Sequence, residues 1–188
     1  DGGWHGLWPG IVVSTADPER RGRVRVRVDQ IYGALSESEH IADDMLPWAE
    51  ACMPMAGIKS GLSFVPPVNS AVWVAFHCGD PESPIWLGGW LARDDVSKEF
   101  FDAYGMAGPQ SFLLKVDGGH VLEMSWVAGR EEVRLSSRHG HKISLRDGNG
   151  GPKVVIETAG GCKLTLDDAM GQVTLESVGD MQLVAAGQ

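Results

Sequence analysis

His139-Gly140-His141 is the spacing in this chain that comes closest to a metal site, because imidazoles are common transition-metal ligands. It sits among turn formers, so a solvated turn is the preferred reading, and no metal or cofactor is expected. The adjacent carboxylates Asp167-Asp168 make a poor acid–base pair. Neighbouring residues of a strand point to opposite faces, whereas acid–base catalysis needs two groups converging on one cleft. The serines lack a positioned histidine in any recognisable motif, so no catalytic residue is expected and the chain reads as non-enzymatic. Arg20, Arg21, Arg23, Arg25 and Arg27 form a basic stretch in a chain of formal net charge −9. Aromatic residues do not interleave with them, and the overall charge opposes binding to a phosphate backbone. An ion-paired outer face, or a docking face for an acidic partner, is expected instead of nucleic-acid binding. Of the seven tryptophans, Trp48, Trp73, Trp86, Trp90 and Trp126 fall at or near strands and are expected to pack in cores rather than to bind sugar. Trp4 and Trp8 are read as lying outside the barrel proper and could contact a partner.

The elements that position these residues are short and β-like. Apolar residues at i, i+3, i+4, i+7 are nearly absent; only Glu37 to Met45 could form about two helical turns. Five strands are expected in the first half: Leu7 to Ser14, Arg23 to Val28, Pro47 to Met53, Ala71 to Phe76 and Ile85 to Trp90. In the second strand Val24, Val26 and Val28 share one side, and in the fourth Val72, Val74 and Phe76 do, which marks both triplets as core. Asp17-Pro18 through Gly22 reads as the first turn. Five short strands in this span suit a small barrel of the OB type over residues 1–91. Residues 92–138 are read as a linker with a three-strand meander. Cys52, Cys78 and Cys162 are odd in number and widely spaced, so free thiols are expected. No apolar run approaches a membrane span, and Asp1 to Trp8 carries no basic region leading into an apolar stretch, so no secretory signal is expected.

From residue 139 onward the pattern becomes a degenerate repeat. Apolar pairs at i, i+2 recur as Ile143/Leu145, Val154/Ile156, Leu164/Leu166, Val173/Leu175 and Met181/Leu183, with first members 11, 10, 9 and 8 residues apart. Glycine-bearing turns separate them, and the intervening strand residues are polar or charged. Two inward aliphatic side chains per repeat do not offset the conformational entropy of ordering it. A thin ribbon with an open apolar face therefore needs other chains, and identical copies supply cyclic closure. The repeat implies a closed oligomer whose core is these ten residues, with a taper toward Gln188.

Several blocks taken together resemble a known family. They are Asp17-Pro18 with Gly22-Arg23-Val24-Arg25-Val26, Leu46-Pro47-Trp48-Ala49, Phe64 to Phe76, Gly79-Asp80-Pro81 and Pro84-Ile85-Trp86-Leu87-Gly88. In order and spacing they are similar to the OB-fold domain of phage central-spike proteins, also called baseplate assembly protein V, which type VI secretion valine-glycine-repeat spikes share. That family usually has Gly-Asp where Asn69-Ser70 stand. The stretch from His141 to Asp168 resembles the opening of the spike's trimeric β-helix.

The resemblance implies an all-β chain: a five-stranded OB-type barrel followed by an intertwined trimeric β-helix needle over residues 139–188. It implies a homotrimer seated on a baseplate hub protein, with a PAAR-type tip protein as a further partner. Such a particle would be assembled in the bacterial cytoplasm and would pierce a target envelope, meeting the membrane only transiently. Related needles bind iron through His-x-His from three chains at the tip, whereas here the motif begins the tail. Residues 92–138 are too few for the lysozyme domain that some relatives carry. The alternative reading is an oligomeric OB-fold module that binds carbohydrate or protein through the barrel and carries a β-stalk.

Overall fold

The computed structural model describes residues 2–92, 95, 108–182 and 184. The chain divides into two compact units, Asp1–Asp95 and Val96–Gln188. The first holds strands β1 (Trp8–Ser14) and β2 (Val24–Arg27), a helical turn α1 (Asp29–Tyr32), β3 (Trp48–Ala51), a small hairpin of β4 (Ala56–Gly57) and β5 (Ser60–Gly61), β6 (Ala71–Phe76) and β7 (Pro84–Gly89). Five of these close a barrel in the order β1-β2-β3-β7-β6. Only β3 and β7 run parallel among its paired strands. This is the all-β barrel expected of the first half.

Alternation places the core. Val24, Val26, Val28, Val72, Val74 and Phe76 face the barrel interior, none more than 6% exposed. Val12, Leu46, Tyr32 and Trp86 complete that core. Trp86 is wholly buried, and its indole N–H donates to the Gly22 carbonyl at 3.1 Å. β1 can lie against β2 only because position 10 is glycine. A Cβ there would stand 2.4 Å from Val26 Cγ1.

The Glu37–Met45 segment is not helical. The Arg27 guanidinium, buried under it, donates to the carbonyls of Gly33 and Ile41 at 2.7 and 2.6 Å and to Asp43 at 2.9 Å. Those carbonyls serve a side chain from β2 instead of a helical ladder, and the only helical turn in this connection is α1.

The β1–β2 turn is organised by Asp17. Its carboxylate accepts the backbone N–H groups of Glu19, Arg21 and Arg23, and the Arg23 guanidinium at 2.7 Å. The hydrogen bond from Arg23 is the largest influence on this carboxyl. Together with the backbone donors it outweighs burial and holds Asp17 far below the usual carboxylate range.

The second unit is one antiparallel sheet of seven strands in sequence order: β8 (Ser111–Lys115), β9 (Val121–Ser125), β10 (Glu132–Ser136), β11 (Lys142–Arg146), β12 (Lys153–Glu157), β13 (Lys163–Asp167) and β14 (Gln172–Glu176). Every strand is five residues long. The division expected at residue 139 falls in the turn between β10 and β11, which pair from Glu132↔Arg146 to Ser136↔Lys142. The shrinking 11-10-9 step belongs to the turns, since the strands keep their length while each successive connection loses a residue. All six turns carry a glycine at positive φ, for example Gly140 at 91° and Gly161 at 94°. Met181 lies beyond β14 in no strand, and Leu183 lies outside the described residues.

Two outcomes follow for the barrel. Trp86→Ala should cost about 3–5 kcal/mol in denaturant unfolding, because it empties the barrel centre and frees the Gly22 carbonyl. The Asp17 carboxyl is depressed in the folded state, so its stabilisation is full above the unfolded value of about 4 and fades as pH falls below it. Acid titration of Asp17→Asn should show lower stability at neutral pH and a shallower loss below about pH 4 than the parent.

Candidate assembly interface

The sheet of the second unit has two unlike faces. Because strand residues alternate, each strand puts its second and fourth residues on one side. These are Phe112 and Leu114, Leu122 and Met124, Val133 and Leu135, Ile143 and Leu145, Val154 and Ile156, Leu164 and Leu166, Val173 and Leu175. The register sets them directly opposite one another across the strands: Leu135↔Ile143, Ile143↔Ile156, Ile156↔Leu164, Leu164↔Leu175 in one row, and Val133↔Leu145, Leu145↔Val154, Val154↔Leu166, Leu166↔Val173 in the other. Two unbroken rows of aliphatic and aromatic side chains cross all seven strands. In the single chain most of them stay open to solvent, from Val133 at 38% to Val173 at 73% exposed. Contiguous apolar surface of this extent marks an interaction site.

The opposite face is polar and internally paired. Arg134 meets Glu123, and Arg146 donates to Glu132 at 2.9 Å. Lys153 reaches Asp167 at 3.4 Å, and Lys163 lies 3.8 Å from Glu176. Burial raises the Glu132 carboxyl, but the hydrogen bond from Arg146 and the charges of Arg146 and Arg134 outweigh it and hold the group below its ordinary value. These pairs bridge neighbouring strands, so a one-residue slip would break them and turn the apolar rows to the wrong side. Half-exposed pairs of this kind add little stability singly. Their contribution is to register. β8 and β14 pair on one side only among the described strands, leaving two open edges.

The residues with chemical potential are dispersed. His139 and His141 occupy the β10–β11 turn, where the Ala159 N–H points to His141 Nδ1 at 3.2 Å. Among the described residues no group of three or more His, Cys, Asp or Glu is placed to hold a metal ion. Asp167 ends β13, where it faces Lys153 and caps the Met170 N–H, while Asp168 begins the following turn. Cys52, Cys78 and Cys162 are exposed free thiols.

Four of the five barrel arginines are engaged within the chain. Arg21 pairs with Glu50 at 2.9 Å, Arg23 with Asp17, and Arg27 with Asp43. Arg25 lies 4.7 Å over the Trp48 ring, with Arg23 at 5.8 Å from the same ring. That aromatic partner comes from β3, opposite Arg25 in the register, so it does not interleave with the arginines along the sequence. The expected burial of tryptophans holds fully for Trp86 alone. Trp73 is 38% and Trp126 56% exposed. Trp73 stands between the inward Val72 and Val74, so strand phase turns it outward despite its size.

No helix among the described residues is long and apolar enough to cross a membrane. A search of the curated proteins finds no match to this chain. A family model does match, over residues 8–91, described as the Type VI secretion system/phage-baseplate injector OB domain. The matched span begins at the first residue of β1 and ends two residues after β7, so it takes in the closed barrel whole. Over that barrel, residues 8–91, this chain is similar to the Type VI secretion system/phage-baseplate injector OB domain.

Proposed function

We propose that this chain is a structural, non-enzymatic spike of a contractile injection machine, attached to a baseplate hub by its barrel and piercing the target envelope with a trimeric needle. The observation that carries the reading is the pair of apolar rows crossing β8 to β14, attached to a barrel similar to the baseplate injector OB domain. One chain leaves these rows in water. Three copies wound about a common axis would cover them and pair the open edges of β8 and β14, which removes both the apolar exposure and the free edges. Ile143, Leu145, Val154, Ile156, Leu164, Leu166, Val173 and Leu175 would then line the axis, with the pairs of β8 to β10 extending the same core.

Such a rod draws its function from stiffness. Cross-strand ladders run along its length, ion pairs hold their register from outside, and a dry core resists bending. Chemistry at a catalytic site is unnecessary for mechanical piercing. The hub would seat the barrel, a PAAR-type protein would cover the tip, and contact with the target membrane would last only as long as the stroke. Assembly in the bacterial cytoplasm fits three exposed thiols left unpaired.

Light scattering on the purified full chain should give three times 20.2 kDa at micromolar concentration. The assembled rod should also resist protease and unheated SDS. Leu164→Asp would place a carboxylate between Ile156 and Leu175, at a cost on the order of 3 kcal/mol or more per copy, and should yield smaller species or a much lower melting temperature. A parent chain that stays monomeric, or a Leu164→Asp variant that keeps its mass and melting point, would sink the needle reading.

A further inference from the structure

The barrel carries a projection and a depression that the needle does not explain. The projection is the β4–β5 hairpin. It turns at Ile58-Lys59, and Leu62 N–H donates to the Met55 carbonyl at 3.0 Å at its base. Ile58 at the tip is 96% exposed, and Met55 and Leu62 at the base are 60% and 51% exposed. Lys59, the residue after Ile58, holds a positive φ of 62°, which bends the tip sharply. A nearly naked aliphatic side chain on a hydrogen-bonded finger has the form of a binding anchor.

The depression has a volume of about 500 Å³ and lies among β1, the segment after α1 and the loop before β6. Ile11, Val13, Leu35 and Val68 give it apolar walls, and Asp29 stands at its margin. Leu35 is 60% and Val68 47% exposed, so these walls are wet in the single chain. Asp29 forms no ion pair among the described residues, and neither does Lys59. Asp43 also lines the depression but is held by Arg27, so the finger offers an aliphatic tip with one cation, and the depression offers aliphatic walls with one carboxylate, Asp29, outside any described ion pair. In a chain of formal net charge −9, a cationic tip is selective for such an acidic margin.

We infer that neighbouring barrels of the assembled spike interlock, with the Ile58 finger of one copy seated in the Ile11–Leu35–Val68 depression of the next and Lys59 facing that copy's Asp29. This rests on the trimeric reading above and adds a second, separate contact to it. Finger and depression are different patches of one chain, so the contact is heterologous. Repeated head to tail it forms a ring where the rotation closes, and an open filament where it does not. A threefold needle on the same chain imposes closure at three. The finger then finds a partner on every copy, and the ring of barrels forms a collar with no unfilled end.

The test uses the full chain with Cys52, Cys78 and Cys162 changed to Ser, so that introduced thiols are the only ones. Ile58→Cys combined with Leu35→Cys should give, on mild oxidation, covalent species up to trimer on a denaturing gel. Neither single variant should do so. Lys59→Glu in this background should lower the cross-linked yield about fivefold or more, and adding Asp29→Lys should restore it. A chain whose light-scattering mass remains that of three copies, yet which gives no cross-link between these positions, overturns the interlock and leaves the needle standing. So does a cross-link indifferent to both charge changes. A mass of one chain overturns the needle, and the interlock with it.

Discussion

A sheet one layer thick has two faces, and a strand of five residues can supply apolar groups to only one of them without losing its solubility. The Val96–Gln188 unit is built on that restriction. Every strand from β8 to β14 spends its second and fourth positions on one apolar face and its first, third and fifth chiefly on the polar one. No layer within the sheet covers the apolar rows. Burial has to come from elsewhere, and the ion pairs Arg146–Glu132 and Lys153–Asp167 on the other face keep the rows in line for whatever covers them. Hydrophobic burial and electrostatic register are thereby separated onto opposite sides of the same strands.

The barrel meets a different restriction. It closes on itself, so its apolar side chains have an interior, and the outside is free to carry charge. Gly10 lets β1 approach β2, Trp86 fills the middle, and Asp17 gathers three backbone N–H groups and a guanidinium to shape the turn between β1 and β2. Arg27 is the exception on β2, an outward-phase residue that is nonetheless buried, because the 33–43 connection folds over it and uses its donors. A basic strand in an acidic chain thus ties loops down through its own side chains.

Local pattern is legible wherever the partner of a residue lies close in sequence. The valine alternation at 24–28 and 71–76 marks barrel strands, and the i, i+2 aliphatic pairs after residue 139 mark the sheet strands, because period two is a property of the strand itself. Where the partner lies far away, the pattern misleads. The Glu37–Met45 segment has the composition of a short helix, but its fate depends on Arg27. The stacking of Arg25 on Trp48 depends on the β2–β3 register, which a twenty-residue connection conceals. Trp73 departs from the expectation that tryptophans in strands pack in the core: its place between the inward Val72 and Val74 puts it on the outer face of the same strand. The exposed Ile58 carries little signal at all, being a lone aliphatic among Gly, Lys and Ser.

The strand order of the sheet also governs when it can form. Each strand pairs with the one just before or after it in sequence, across turns of four to six residues, so every hairpin closes a short loop. Hairpins of this kind form in microseconds, whereas meeting another chain is a bimolecular event set by concentration. On the trimeric reading proposed above, the sheet is complete well before its apolar rows are covered, and each newly made chain passes through an interval in which a finished apolar surface is open to water. Copies made side by side on one messenger would shorten that interval, and dilution would lengthen it.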